Sequence, residues 1–213
     1  MNRTQLYPLF ADISEKKVLV VGGGGVAQEK IERLLECGAR VMVISPEVTG
    51  QIEQWAAEKR LKLRRRVYCK GDVKWAWMVI VACAVPEVNT DIYGQCMQRR
   101  IFCNVVDVID LCMFQVPAVS KHGPLQIAIS TSGISPALAK ILREDMDQQF
   151  DASYETFLEA LAELRTHLKE KYPDDLKKRS DQLEAFVLSE ALSLLQQGNQ
   201  IAFENLLERY RGD

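Results

Sequence analysis

KVLVVGGGGVAQEK, residues 17–30, decides the fold of this chain. The apolar run Val18 to Val21 enters four consecutive glycines, Gly22 to Gly25, and a helical pattern begins at once. The turn reads G-x-G-x-x-A at Gly22, Gly24 and Ala27. In this order a parallel strand hands over to a helix whose N-terminal N–H groups hold a pyrophosphate. Gly22 permits the tight turn, Gly24 leaves bare backbone open to a phosphate, and Ala27 lets the helix lie close to the strand. The strand before and the helix after distinguish a dinucleotide site from a purely structural glycine turn.

Working outward, the first helix carries Ala27, Ile31, Leu34 and Leu35 on one face and stops at Gly38. Arg40–Ile44 reads as a second strand, and Gln51–Lys59 as a short helix with Ile52, Trp55 and Ala56 inward. Leu61–Tyr68 alternates apolar and basic residues, as an edge strand would. Trp77–Ala82 has the length and composition of a buried strand. Asn89–Arg100 fits a helix and Ile101–Val106 a strand that ends at Asp107. This alternation predicts a Rossmann-type α/β domain, a parallel sheet covered on both faces. Residues 1–16 form a lead-in whose Tyr7, Pro8, Leu9 and Phe10 are expected to cover one end of the sheet.

After about residue 112 the pattern changes. Gln115–Ser120 and Leu125–Ser130 are β-like runs joined by a turn at Lys121-His122-Gly123-Pro124, which predicts a hairpin. Ser130-Thr131-Ser132-Gly133-Ile134-Ser135-Pro136 then opens a helix over Ala137–Gln149, with Ser135 as N-cap and Pro136 at the first helical position. From residue 151 the sequence is helical, in three apolar stripes separated by Pro173 and Gly198. The stripes run from Tyr154 to Leu164, from Leu183 to Leu195 and from Ala202 to Tyr210. The expected organisation is a dinucleotide-binding domain over 1–113, a dimerisation and substrate-cleft segment over 114–150, and a helical domain over 151–213.

Bulk properties exclude several classes. Hydrophobic residues make up 47% of the 213, charged residues 26%, and the net charge is -2, so nothing draws the chain towards nucleic acid or anionic lipid. No apolar run approaches the ~18 residues of a membrane span. The N-terminus, Met1 to Pro8, lacks the apolar core of a signal peptide, and the expected location is the cytoplasm. The six cysteines, Cys37, Cys69, Cys83, Cys96, Cys103 and Cys112, form no C-x-x-C pair and mostly sit in apolar stretches. They read as buried free thiols. With only His122 and His167 as histidines, no metal-ligand set is predicted.

Ligands of such sheets bind beyond the carboxyl ends of the strands. An acidic residue that bonds the adenosine ribose is expected about 20 residues past the glycines. Ser45 stands there, with Pro46 and then Glu47 slightly late, and no Arg or Lys follows the strand to meet a 2′-phosphate. NAD is favoured over NADP. Other strand ends carry Ala82-Cys83 and Asn104-Val105-Val106-Asp107. Asp107 can take a proton as a hydride leaves a substrate carbon. It can equally cap the following turn, and Asp110 is an alternative base. The hydroxyls and glycine of Ser130, Thr131, Ser132, Gly133 and Ser135 suit an anion, or serve ordinary capping. Lys121 and His122 could add charge at the hairpin tip, and Arg64-Arg65-Arg66 reads as a solvated edge.

Taken together, Val20 to Gly24 with Val26, Ala27 and Lys30, then Cys103 to Asp107, Pro117-Ala118 and Ser130 to Ala137 resemble the precorrin-2 dehydrogenase/sirohydrochlorin ferrochelatase family. This siroheme-synthase module occurs alone or fused to a methyltransferase. The likeness covers about residues 6–150. It implies NAD-dependent oxidation of precorrin-2 to sirohydrochlorin, followed in bifunctional members by insertion of ferrous iron to give siroheme. It also implies a homodimer held largely by the segment after the Rossmann domain. The family's catalytic aspartate falls on Asp107. Its cofactor contacts fall on the glycine turn, Gly22, Gly23 and Gly24 and notably Gly25 and Val26, and on Pro46 and Glu47; Ser45, Ala82 and Cys83 are expected as further cofactor contacts from their places at strand ends. Its tetrapyrrole cleft falls on Ser130 to Ser135; Asn104, Lys121 and His122 are expected as further substrate contacts from their places at a strand end and the hairpin tip. Gly25 stands where the family often has an acidic residue, and Cys83-Ala84-Val85-Pro86 replaces the usual Ala-Thr-(Asp/Asn)-Asp.

The substrate implied is a polycarboxylate, so a chain of net charge -2 must offset it locally, with Lys121, Lys140 and Arg143 near the serine-rich loop in sequence. Rival readings are a dehydrogenase-only member with a separate chelatase, and a non-catalytic module that senses NAD.

Overall fold

Val18, Val20, Val41 and Val43 project from one face of a sheet and Leu19, Val21 and Ile44 from the other, all of them buried. This two-sided burial is what near-continuous apolar strands require. The computed structural model describes residues 5–212. The first four residues, part of the lead-in read above as no signal peptide, lie outside them. Five strands, β1 (Lys17–Val21), β2 (Arg40–Ile44), β3 (Lys62–Arg64), β4 (Met78–Val81) and β5 (Phe102–Val105), form a parallel sheet in the order β3-β2-β1-β4-β5. Val20 is in register with Val43 and Ile80. Ala27, Ile31 and Leu34 of α1 (Gly25–Glu36), with Ile52 and Trp55 of α2 (Gly50–Ala57), cover one face. Ile92 and Cys96 of α3 (Pro86–Arg99) cover the other. The direction of winding reverses between β1 and β4, so a crevice opens at their carboxyl ends.

Several elements differ from their sequence-based bounds for local reasons. β3 is three residues long because Arg66 turns away to grip Asp72, Nη1 and Nη2 donating to its two carboxylate oxygens at 2.6 and 2.8 Å. The N–H of Cys69 donates to the same carboxylate, and the chain continues into a 3-10 turn at Asp72–Trp75. The Arg66 guanidinium holds the Asp72 carboxyl below the usual carboxylate range. α3 starts three residues earlier than predicted because Pro86 sits in its first turn, where a missing N–H costs nothing. α1 stops as expected: Gly38 takes φ +72 and its N–H donates to the Leu35 carbonyl at 3.0 Å. Tyr7, Leu9 and Phe10 are exposed rather than packed over the sheet, and of the lead-in's described residues only Ile13 reaches the core. Cys37 and Cys69 are exposed, Cys83 and Cys112 half-buried, and only Cys96 and Cys103 fully buried, all as free thiols.

The chain divides into two compact units, residues 1–116 and 117–213. In the second, β6 (Ala118–His122) and β7 (Leu125–Ile129) pair antiparallel with His122 opposite Leu125. The hairpin turn is therefore Gly123-Pro124 alone, and Lys121 and His122 belong to the strand. Gly123 takes φ +57, the positive value that the first central position requires when proline fills the second. α4 (Pro136–Gln149) follows, capped by the Ser135 hydroxyl, which accepts from the Leu138 N–H at 3.1 Å. The described residues of the tail form four helices rather than three: α5 (Ser153–Lys171), α6 (Leu176–Val187), α7 (Ala191–Gln196) and α8 (Gln200–Gly212). The second apolar stripe is broken between α6 and α7, where the Ser189 hydroxyl donates to the Phe186 carbonyl at 2.7 Å and accepts from the Ala191 N–H. No helix among the described residues is long and apolar enough to cross a membrane.

Phe186 is fully buried among the rings of Phe157, Phe203 and Tyr210, at centroid distances of 5.6, 6.4 and 5.1 Å. Phe186→Ala is expected to destabilise this helical unit by about 3–5 kcal/mol, read from urea denaturation. A loss below about 1 kcal/mol would mean that the tail is not held by this cluster.

Candidate active site

At the carboxyl end of β1 the four glycines divide into two pairs. Gly22 takes φ +118, and a Cβ there would stand 2.2 Å from the Ala82 carbonyl oxygen. A Cβ on Gly23 would stand 2.2 Å from the Glu47 carbonyl oxygen. These two glycines are needed by the protein's own packing against the ends of β4 and β2. Gly24 and Gly25 are exposed, and a Cβ on either would meet nothing within 4 Å. Gly24 caps α1 through its backbone alone, and the first turn of α1 holds no acidic side chain. The helix therefore presents unneutralised N–H groups on an open, side-chain-free ledge, as a pyrophosphate requires. Val26 is half exposed beside it and Ala27 is wholly buried against the sheet.

The loop after β2 is clamped to the same turn. Thr49 donates its N–H to the Gly23 carbonyl at 3.0 Å and its hydroxyl to Gln28 at 2.7 Å. Ser45, expected to touch the cofactor, is 8% exposed, and its hydroxyl donates to the Glu47 carbonyl at 2.6 Å. Its role is to bend the loop, which leaves Pro46 and Glu47 exposed. Ala82 and Cys83 are half-buried, and the Cys83 carbonyl accepts from the Asn89 amide at 3.0 Å. A basic residue does reach the end of β2, from β3 rather than from the following sequence. Arg64 lies in register with Ile44, and its carbonyl accepts from the Ser45 N–H at 3.2 Å. The rest of the arginine run is paired, Arg65 with Glu53 and Arg66 with Asp72.

Asp107 stands two residues beyond β5, exposed, in a turn closed by the Val108 N–H on the Val105 carbonyl at 3.1 Å. Its φ is +63. A left-handed backbone at a non-glycine residue is held by its surroundings, and such residues gather at functional sites. Asp110, the alternative base, is exposed in a 3-10 turn at Ile109–Leu111. Asn104, expected as a substrate contact, is 8% exposed. Its amide donates to the Phe114 carbonyl at 2.9 Å and the Cys112 sulfur at 3.4 Å, so it serves the loop instead of facing outward. Composition alone gave no sign of that pairing, because its partners lie eight and ten residues on.

In the second unit, Ser132 and Gly133 take φ +52 and +73, and the Ile134 N–H donates to the Thr131 carbonyl at 3.0 Å. These are the features of a type I′ turn. The Thr131 hydroxyl accepts from the Ser135 N–H and donates to the Ser135 carbonyl, both at 3.0 Å, and the Ser130 hydroxyl accepts from the Ser132 N–H at 3.1 Å. The hydroxyls predicted to meet an anion thus also build the loop. Lys121 is exposed. His122 is not solvated at a tip: its Nε2 lies 2.8 Å from the hydroxyl of buried Ser120 and 3.8 Å from Asp147. Both neighbours lie on the same ring nitrogen. Lys140 and Arg143 are paired with Glu144, and Arg143 also with Asp147.

An NAD(P)-binding family model matches residues 9–118, more than half of the chain, and a model described as sirohaem biosynthesis protein central matches residues 122–149. The chain belongs to this NAD(P)-binding family. A siroheme synthase of Xylella fastidiosa is 38% identical over 82% of the chain and 37% of its own length. Another, from an Enterobacter species, is 32% identical over 95% of the chain and 44% of its own length. The chain thus spans about two fifths of the curated relatives it matches. A solved structure of SirC, a precorrin-2 dehydrogenase, is 27% identical with a TM-score of 0.80, over 96% of this chain and 100% of that one. The family membership read from the glycine turn, Asp107 and the Ser130 loop agrees with these matches.

The family's glycines are not equivalent here. Gly22→Ala and Gly23→Ala are expected to destabilise the first unit by about 2 kcal/mol or more, through strain and backbone collision. Gly24→Ala and Gly25→Ala should stay within about 1 kcal/mol of wild type, while Gly24→Ala weakens dinucleotide binding about tenfold or more. Urea denaturation and calorimetric titration with NAD separate the two pairs. Equal stability losses at all four positions would refute the division.

Proposed function

We propose that this chain oxidises precorrin-2 to sirohydrochlorin with NAD in siroheme biosynthesis. The observation that carries the reading is the end-to-end likeness to a precorrin-2 dehydrogenase, joined to an open glycine ledge at the sheet's switch point. The ledge suits the pyrophosphate: Gly24, Gly25 and Val26 offer backbone without obstruction, and exposed Glu47 can bond ribose hydroxyls as a carboxylate at the end of β2 does. NAD, when bound, supplies the two-electron acceptor. Asp107 is the base that takes the proton leaving the macrocycle, from an exposed turn at the carboxyl end of β5.

The substrate-contact role belongs to the Ser130–Ser135 loop and Lys121. The Gly133 N–H, the Ser130 and Ser135 hydroxyls and Lys121 can meet carboxylates, whereas the Ser132, Ile134 and Ser135 N–H groups are spent within the loop and Lys140 and Arg143 already answer acidic partners. Ferrous iron is the substrate of a second step in the bifunctional reading, in which Asp107 also receives pyrrole protons. We assign the hairpin and α4, residues 114–150, to a homodimer interface. Ile134, Leu138, Ile141 and Leu142 are 74, 47, 54 and 38% exposed, an apolar face that a second copy would cover. The remaining residues, 151–213, are a helical accessory domain.

Precorrin-2 and NAD supplied to the wild-type chain should yield NADH and the sirohydrochlorin spectrum, with ferrous iron added afterwards. Asp107→Asn keeps a side chain that tolerates the left-handed backbone. It should leave folding and NAD binding intact while the oxidation rate falls by about 100-fold or more. No NADH from wild type would sink the dehydrogenase. NAD binding without any turnover would favour the sensing module, and iron insertion no faster than without protein would leave a dehydrogenase alone.

A further inference from the structure

The loop that presents Asp107 is tied by one thiol. The Cys112 Sγ lies 3.1 Å from the Val105 carbonyl oxygen and 3.2 Å from the Val108 carbonyl oxygen, the two carbonyls that bracket the turn holding Asp107. The same sulfur accepts from the Asn104 amide at 3.4 Å, whose other bond reaches Phe114. The Met113 N–H donates to the Cys103 carbonyl at 2.8 Å, which closes residues 103–113 into a loop hung from the end of β5. We propose that Cys112, backed by Asn104, is a positioning residue that fixes the left-handed turn and thereby the direction of the Asp107 carboxylate. This rests on the reading of Asp107 as the base.

Three features support it. Asp107 adopts a left-handed conformation that is uncommon outside glycine, even though aspartate is among the residues that tolerate it, so bonds around the turn add to its definition. The turn's own Val105–Val108 hydrogen bond is compatible with several turn types, and the single S–H, within reach of the carbonyls at both ends, adds a donor that the two share. Burial pushes the Cys112 thiol up from its ordinary value, so it remains a protonated donor. A thiol suits the place because its long bonds let one sulfur lie near both carbonyls while its lone pairs face the Asn104 amide. Small misplacements of a reacting group are costly, about 100-fold for an ångström.

The test compares Cys112→Ala, Cys112→Ser and Asp107→Asn with the Cys112→Ala/Asp107→Asn double variant, using NAD binding and far-UV dichroism to confirm folding. Cys112→Ala should lower kcat about 10- to 100-fold with KM for NAD changed less than about twofold. Cys112→Ser, which keeps a donor, should recover kcat to within about threefold of wild type. In the Asp107→Asn background, Cys112→Ala should change the residual rate by less than about twofold, because the group it aims is gone. The proposal is overturned if Cys112→Ala keeps wild-type kcat, if serine fails to restore it, or if alanine costs the same factor in both backgrounds. Should Cys112→Ala not fold, Cys112→Val fills the volume without a donor and is read in the same way. A fully active Asp107→Asn would instead remove the base and this proposal with it. An inactive Asp107→Asn beside a fully active Cys112→Ala would remove the positioning role alone.

Discussion

Two backbone carbonyls, those of Ala82 and Glu47, approach the glycine turn so closely that no side chain fits at Gly22 or Gly23. That close approach organises the carboxyl edge of the sheet. It brings the ends of β2 and β4 against the end of β1, and Thr49 then fastens the β2 loop to Gly23 and to α1. The cost is borne by residues that carry no side chain at all. What remains above them, at Gly24 and Gly25, is backbone free to face a ligand. A phosphate-binding motif is usually described by its contacts to phosphate. Here half of the motif faces inward, and the open half depends on it.

Asp107 follows the opposite logic. The glycine turn uses residues that tolerate unusual backbone, whereas the β5 turn places a charged residue where glycine or asparagine would be easier. A left-handed aspartate is disfavoured by roughly 1 kcal/mol, a small part of a domain's stability but one without evident structural return. The surrounding bonds absorb it. Asn104 and Cys112 are half-hidden polar groups whose partners are backbone carbonyls and one another. Strain held locally by such a network is what a carboxylate needs if it must face a substrate in one orientation.

How much of this was legible follows from the range of each signal. β1, β2 and α1 were readable because their period and their punctuation at Gly22 and Gly38 are local. Ser135 and Pro136 announced α4 for the same reason. β3 is shorter than its alternating pattern predicts because its end is set by Arg66 reaching Asp72, six residues away, and an alternating pattern does not reveal such a competitor. The hairpin turn is two residues shorter than polarity predicts, because Lys121 and His122 look like turn residues while the pairing with Leu125 and Gln126 needs them in the strand. Ser45 was read as a cofactor contact by position, yet its hydroxyl faces its own loop. Asn104 and Cys112 were invisible as a pair, since nothing in either neighbourhood points to the other.

The same distinction applies to charge. Lys140 and Arg143 lie near the serine-rich loop in sequence, and by composition they are its natural anion partners. On α4, however, each faces an acidic side chain one turn or less away, so their positive charge is largely answered before any ligand arrives. Exposed pairs of this kind contribute little to stability and part easily, so a polycarboxylate can compete for the cations only by displacing Glu144 and Asp147. The loop's backbone is different. With the Thr131 hydroxyl engaged with Ser135 and the turn closed by Ile134, the polypeptide dipoles are fixed in place before a ligand arrives. Ser132, Ile134 and Ser135 spend their N–H groups in building the loop. What the fixed turn can offer a carboxylate is therefore the Gly133 N–H and the hydroxyls of Ser130 and Ser135, few donors but preorganised ones, which lose less on binding than mobile lysines do.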